Sequence, residues 1–352
     1  MLVRFRGNAV FRLHGFAEVL SLLSFKSQYL YSTSATPAQT HLLVKYLVDS
    51  LGFSNREASL ASSKVKKLVS RAPKLLFCDV SKTLKPKFQC LMDLGLSGSD
   101  LAKVIAKDTT IVERGLVTHL RPTIDFLRRF LGSDKDVVKA IKRTSWLLSF
   151  GAHHIMKTNV LLLRNSGVPD VKIRKLMLIY PNYLTQKREW VKRLLHRVEK
   201  DFHIPLNSPM FPYGFHTLAS QKKSKCEKKI EIFKSFGWSD DHVLEMFRKQ
   251  PYCIALSEVK IQKALSFYMK ELGCIPAYLA SHPSILVFSL EKRVVPRVKV
   301  LKILDEKKLE RRMLGLNYAL RLTETKFIEY FVLPYKDQIP DLYEPPQKTL
   351  AP

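Results

Sequence analysis

Acidic side chains are scarce in this sequence relative to basic ones. Across 352 residues, 31 Asp and Glu stand against 59 Lys and Arg, a formal net charge of +28. An excess of that size repels itself and calls for a polyanionic partner, nucleic acid before any other. Cysteine is sparse too. Cys78, Cys90, Cys226, Cys253 and Cys274 are odd in number, far apart and without a C-x-x-C pair, which excludes a disulfide framework and a zinc site. His153 and His154 are adjacent but have no Cys or carboxylate at ligand spacing, so no metal is expected. No apolar run reaches the ~18 residues of a membrane span; Phe16 to Phe25 is short and broken by Glu18 and Ser21, so no membrane partner is expected. Neither a P-loop, a dinucleotide fingerprint, an H-E-x-x-H nor a G-x-S-x-G is present, and Gly95-Leu-Ser-Gly98 fits a helix turn. The reading is therefore not an enzyme, with no catalytic residues and no cofactor.

Residues 1–34 read as an address. Arg4, Arg6, Arg12 and Lys26 face one acid, Glu18, and Ser and Thr collect at Tyr31-Ser32-Thr33-Ser34. An Arg-rich, Ser-containing, acid-poor start is that of an organellar transit peptide. The arginine spacing favours the mitochondrion, with the chloroplast as alternative.

What the remaining sequence does have is a repeat of about 36 residues. Pro73, Pro181 and Pro251 stand 108 and 70 residues apart, and Pro283 follows; filling the gaps places anchors at Thr109 and Ser145, without proline. Two residues after each anchor comes a mostly apolar pair: Leu75-Leu76, Ile111-Val112, Leu147-Leu148, Tyr183-Leu184, Cys253-Ile254 and Ile285-Leu286. A second proline recurs at Pro86, Pro122 and Pro296, and a glycine at Gly52, Gly95, Gly132, Gly167, Gly237 and Gly273. The 70-residue step between the glycines at 167 and 237 hides a degenerate unit with a Pro-rich insert from His203 to Phe215.

Each unit reads as helix, Pro-turn, helix, Gly-turn. Glycine takes the left-handed position that ends one helix. Ser54, Ser97, Ser133 or Ser239 caps the next, with Glu57, Asp100 or Asp136 at capping-box spacing. The anchor proline stops that helix, and a further helix is entered at the second proline. One helix pair cannot bury its apolar face alone, so the pairs stack. The expected fold is all-α: a right-handed-type helical-repeat superhelix, an α-solenoid of about seven units over 43–335, followed by a tail at 336–352.

Several stretches together resemble the mitochondrial transcription termination factor (mTERF) family, in its plant branch. They are Leu94-Gly-Leu-Ser-Gly-Ser-Asp-Leu-Ala, Lys228-Lys-Ile-Glu-Ile-Phe-Lys-Ser-Phe-Gly-Trp-Ser239, Phe247-Arg-Lys-Gln-Pro-Tyr252, Ser289-Leu-Glu-Lys-Arg-Val-Val-Pro-Arg297 and Phe331-Val-Leu-Pro-Tyr335. The resemblance implies a half-doughnut of helical repeats with a basic concave face that holds nucleic acid. It also implies a role in organellar gene expression: transcription termination or regulation on double-stranded DNA, or, alternatively, group II intron splicing and RNA maturation. Thr109 and Ser145 depart from the family pattern, where a proline is usual.

The repeat phase yields a candidate interface. One residue before the second-proline position stand Lys85, Arg121, Lys157, Arg193, Glu227 and Lys263, five cations in six, where composition supplies about one in six (59 of 352). Identical positions in stacked repeats line one face, so this ladder would track a phosphate backbone; the alternative is a solvated helix start. Arg128, Arg129, Arg188, Lys192, Lys228, Lys229, Arg293 and Arg297 join it as denser clusters. Tyr183, Trp190 and Trp146 rank lower as base-stacking platforms, because aromatics at helical spacing are usually core. The expected partners are organellar double-stranded DNA or RNA, bound by a monomer. The rival is a protein-interaction scaffold, which would keep its partners after nuclease treatment.

Overall fold

A computed structural model of the chain describes residues 80–96, 98–148, 152–309 and 315–343. The N-terminal address, Gly52, Ser54, Glu57, Pro73, Leu75-Leu76, Cys78 and Ser97 lie outside the described residues, as does the tail beyond Tyr343. The described residues are helical and contain no strand. They fall into two compact units divided between Val191 and Lys192.

The first unit runs through α1 (Lys85–Asp93), α2 (Gly98–Lys107), α3 (Arg121–Leu131), α4 (Asp134–Arg143), α5 (Ala152–Asn165), α6 (Asp170–Ile179) and the start of α7 (Arg188–His196). The second continues through α8 (Phe211–Ala219), α9 (Lys223–Ser235), α10 (Asp240–Lys249), the single turn α11 (Tyr252–Ala255), α12 (Glu258–Leu265), α13 (Pro276–Ser281), α14 (Val295–Glu306), α15 (Leu316–Arg321) and α16 (Glu324–Phe331). Leu342 then packs with Phe327 and Phe331, so residues at the start of the expected tail belong to the last hydrophobic cluster.

Among the described residues, each anchor begins or immediately precedes a short helical turn of its own. The 3₁₀ turns Thr109–Glu113, Ser145–Leu148, Pro181–Tyr183 and Pro283–Val287 start at the anchors, and α11 starts one residue after Pro251. Both residues of each apolar pair from Ile111-Val112 to Ile285-Leu286 are buried. Proline is not needed for the break. Asp108 and Thr144 precede the anchors that lack it, yet they are as extended (φ −140° and −138°) as Tyr180 before Pro181. At Thr109 the work is done by Asp108, whose carboxylate accepts from the Thr110 N–H at 3.1 Å.

The glycine positions hold the left-handed conformation that the repeat requires: φ is +105° at Gly95, +87° at Gly132, +90° at Gly167, +81° at Gly237 and +65° at Gly273. The degenerate unit keeps the same conformation without glycine, at His203 (φ +50°), and Lys308 (φ +53°) does so after α14. From Gly95 to Lys308 these seven positions are spaced 37, 35, 36, 34, 36 and 35 residues, so the period survives the interruption. Ser133 and Ser239 cap α4 and α10; Ser239 forms a capping box with His242 rather than with an acid.

Two local expectations are corrected. Pro86, Pro122 and Pro296 sit in the first turns of α1, α3 and α14, but the helical path begins earlier, in the π turns Val80–Leu84, Leu116–Leu120 and Leu290–Val294. The Leu120 N–H donates to Gly115 O and the Val294 N–H to Ser289 O, both at 3.1 Å and both five residues back. A proline ring clashes with the carbonyl four residues back in a regular helix, and the wider turn moves that carbonyl away. The insert is also shorter than the sequence suggests. Phe211 to Phe215 are not loop but the start of α8, with both phenylalanines buried, so the non-helical part is 203–210. Gly214 lets α8 press on Ile204, whose Cδ1 would lie 2.3 Å from an added Cβ.

Candidate nucleic-acid interface

Counted from the helix entered at the second proline to the short turn that closes it, each repeat has a first helix with two opposed faces, and their positions decide which cations are available. On the inner face a buried polar donor recurs. Lys87 Nζ donates to Val112 O at 2.6 Å, Asn159 Nδ2 to Leu184 O at 2.9 Å, Lys229 Nζ to Ile254 O at 2.9 Å, and Arg297 Nη1 to Leu322 O at 2.8 Å. Each spans 25 residues, to a carbonyl at the end of the short turn or helix that closes the repeat. Thr123 is fully buried at the same phase, its Oγ1 3.3 Å from His153 Nδ1. Such donors satisfy carbonyls that the turn leaves open in the interior.

This geometry removes candidates from the predicted interface. Arg297 is 1% exposed; its guanidinium also donates to Ala319 O at 2.9 Å and to the Glu324 carboxylate at 2.7 Å, and it lies 4.6 Å from the Phe327 ring centre. Lys229 is 7% exposed and donates as well to Gln221; burial holds its ammonium below the usual lysine pKa. Arg293 is half-buried, donates to Leu320 O at 2.9 Å and to Leu322 O, and packs 4.3 Å from the centre of the Phe288 ring. Burying a cation costs several kcal/mol (order ~3–5) unless its protons are taken up, so these three are committed to the interior.

Arg128 is committed differently. It grips Asp134 through two nitrogens (2.6 and 3.3 Å) and reaches Asp125 at 3.3 Å. Arg164 with Asp170 (2.6 and 2.8 Å) and Lys234 with Asp240 (2.8 Å) repeat the arrangement. In each case the pair brackets the left-handed glycine, at 132, 167 or 237, and ties the end of one helix to the start of the next. Arg129 is exposed, with Nε donating to Asp125 O at 3.2 Å.

The ladder positions lie two residues before the buried donors, about 200° around the helix at 100° per residue. They fall on the outer face, where Lys85, Arg121, Lys157, Lys192 and Glu227 are exposed; Arg193, Lys228 and Lys263, one position further on, are exposed too. Among the described residues none of these cations is in an ion pair, and the same holds for exposed Arg188. From α5 onward the step shortens to 35 residues: the equivalent buried residues Met156, Val191, Cys226 and Ile261 are each 35 apart, so Lys192 rather than Arg193 matches Lys157. The ladder then continues at Glu227 and Gln262, and Lys228 and Lys263 lie one position past it. Between Arg121 and Lys157 in sequence lies a group of imidazoles. The rings of His153 and His154 are 3.9 Å apart, and burial first, then His154 and His119, hold His153 below the usual histidine pKa. Tyr183 is buried and packs 5.9 Å from Trp190, the core role expected of it; Trp146 is half-buried.

A second row of cations was missed from sequence. Lys103, Lys139 and Lys175 occupy the sixth position of α2, α4 and α6. Each follows Lys85, Arg121 or Lys157 by 18 residues, half the repeat, and searching at half the period would have found them.

These features define a class: a basic, all-α helical-repeat protein with one outward cation per repeat along much of its length. The mTERF family matches the chain over residues 56–202 and 118–328, and the protein belongs to that family. It is similar to "Transcription termination factor MTERF8, chloroplastic" of Arabidopsis thaliana, with 21% identity over 264 residues, covering 64% of this chain. The chain spans about half (51%) of the length of that relative.

Proposed function

We propose that this protein binds organellar nucleic acid through the exposed ladder cations and acts in organellar gene expression, on double-stranded DNA in transcription termination or regulation. The observation that carries the reading is the phase relation on the first helices: in three successive repeats an outward cation, Lys85, Arg121 or Lys157, stands two residues before a buried polar side chain, Lys87, Thr123 or Asn159. Family membership and the name of the Arabidopsis relative support the same reading. The contacts are electrostatic, through Lys85, Arg121, Lys157, Arg188, Lys192, Arg193, Lys228 and Lys263, with Arg129 at the margin. The protein acts as a monomer. The basic N-terminus supports import into the mitochondrion, while the relative's name supports the chloroplast.

The test has two parts. Affinity of the purified chain for duplex DNA and for single-stranded RNA is measured against salt; log affinity falls steeply with log salt if phosphates are held, and a slope near zero overturns the proposal. Crosslinking in isolated organelles with sequencing of the bound nucleic acid then separates the roles. A discrete duplex site supports transcription control, and intron RNA transfers the assignment to splicing.

A further inference from the structure

We infer that the second helices of the first unit form a separate phosphate-binding row, Lys103–Lys139–Lys175, in addition to the first-helix ladder. The inference rests on the nucleic-acid reading above. Three observations carry it. The residues share one phase: each is sixth in a ten-residue helix, and successive members are 36 residues apart. The helices carrying them are fixed in mutual register by cross-repeat ties. Lys107 Nζ donates to Lys142 O at 3.5 Å, Arg143 Nη1 donates to Ile179 O at 3.4 Å, and Lys142 pairs with Asp100 at 2.7 Å. Acids are confined to the first turns of these helices, as Asp100, Asp134, Asp136 and Asp170, and are engaged there by Lys142, Arg128, Ser133 and Arg164. Beyond the first turn the helices carry cations and no carboxylate. Lys103 illustrates the result: its side chain is 73% exposed and only grazes Asp100, at 4.0 Å. Lys139 is exposed, and Lys175 is half-buried at the same phase.

Complementing the negative helix end explains Lys107 and Arg143, which lie in the last turn, but not the row at mid-helix. Packed helices stand about 8–10 Å apart, the rise of two to three nucleotides at about 3.4 Å each. Equal steps of single positive charge on rigid supports suit a polymer of evenly spaced phosphates. The device belongs to the first unit. In the second, the position equivalent to Lys175 is Glu245, paired with Lys249 at 2.7 Å, and α8 and α13 carry no lysine or arginine.

The experiment uses the full chain and three triple variants: Lys103→Gln/Lys139→Gln/Lys175→Gln in the row, Arg121→Gln/Lys157→Gln/Lys192→Gln in the ladder, and Lys299→Gln/Lys302→Gln/Lys326→Gln as a charge-matched control. Each is titrated with labelled duplex and single-stranded RNA from low to high salt, and with phosphatidylglycerol vesicles. The row variant is expected to flatten the log–log salt slope by about 2 to 3, beyond any effect of the control. Equality of row and control overturns the row, and a ladder effect in the same experiment leaves the proposed function standing. Loss of vesicle binding with unchanged nucleic-acid binding also overturns the row. If the parent chain binds no nucleic acid at low salt, the proposed function fails and the row with it. Should the triple variant not fold, Lys103→Gln/Lys139→Gln alone carries the test, with an expected flattening of about 1 to 2.

Discussion

The third and fourth described repeats run over the same period with different means. In the third, α5 ends at the glycine turn of Gly167, α6 follows, and the 3₁₀ turn Pro181–Tyr183 closes the repeat. In the fourth, α7 leads to His203 in the left-handed region, the loop 203–210 intervenes, and α8 runs through to Ala219, two residues short of Gln221 and the start of α9's capping segment, with no 3₁₀ turn. The buried donor position shows the same substitution of means: Asn159 in the third repeat, Leu194 in the fourth. In these two repeats the donor accompanies the short turn and is lost with it; where the turn Pro283–Val287 is present but the donor position is apolar, the Tyr268 hydroxyl donates to Ile285 O at 3.0 Å instead. The period is therefore a property of backbone geometry, which different residues serve.

Exchanging the donor residues should break that comparison most sharply. Asn159→Leu installs the fourth repeat's residue in the third. It leaves Leu184 O and Gln186 O, which the Asn159 amide now serves at 2.9 and 2.8 Å, without that donor. One buried and one part-buried carbonyl at about 1–3 kcal/mol each predict a loss of ~2–6 kcal/mol, read by denaturant unfolding. The reciprocal Leu194→Asn buries a polar group with no short turn to serve and should also destabilise, by about 1–3 kcal/mol. A neutral Asn159→Leu would mean that the carbonyls find other donors and that the recurring 25-residue bond is incidental.

The left-handed positions offer the next largest effect, of opposite sign in the two kinds of repeat. An added Cβ at Gly132 meets nothing within 4 Å, so Gly132→Ala pays in backbone conformation alone, ~1–2 kcal/mol. His203 already carries that cost, and His203→Gly should recover part of it, up to ~1 kcal/mol after the extra freedom of the unfolded glycine chain is subtracted. Thermal unfolding of the two variants should move in opposite directions. If both lose stability, His203 makes contacts that outweigh its strain.

Much of this was legible in the sequence, and the exceptions have physical causes. The anchors, apolar pairs and glycines were readable because each is imposed by local geometry: a break, a buried contact, a positive φ. Charge was not, because a lysine that serves a buried carbonyl and one that faces water look alike in sequence. Lys228 and Lys229 are neighbours, one exposed and one 7% exposed. Arg297 fits a basic cluster by composition and a core by position. The fixed period of 36 also concealed the one-residue slip at α7, which moved the ladder from Arg193 to Lys192. Lys228→Gln should flatten the salt slope of nucleic-acid binding by about 1 and leave unfolding unchanged, while Lys229→Gln should lower the unfolding midpoint and leave the slope unchanged. Equal behaviour of the two variants in both assays would erase the distinction between the faces.

The smallest expected effect separates the same two repeats by pH. His153, in the third repeat, is held below the ordinary histidine pKa by burial and then by His154 and His119; His216, in the fourth, is lowered by burial alone. For a base whose folded pKa is depressed, the unfolded chain binds the extra proton. Stability is thus full above the unfolded value near pH 6.5 and declines as pH falls through it toward the folded value. Unfolding midpoints measured from pH 8 to 5.5 should drop at the acid end, and His153→Gln and His216→Gln should each remove part of the drop. Salt distinguishes their shares. Repulsion between imidazoles is screened by added salt, whereas the cost of burying a charged ring is not. The His153 share should therefore shrink between low and high salt and the His216 share should persist. Equal salt sensitivity would mean that His119 and His154 exert no field on His153, and that the imidazole group beside the ladder is a matter of packing alone.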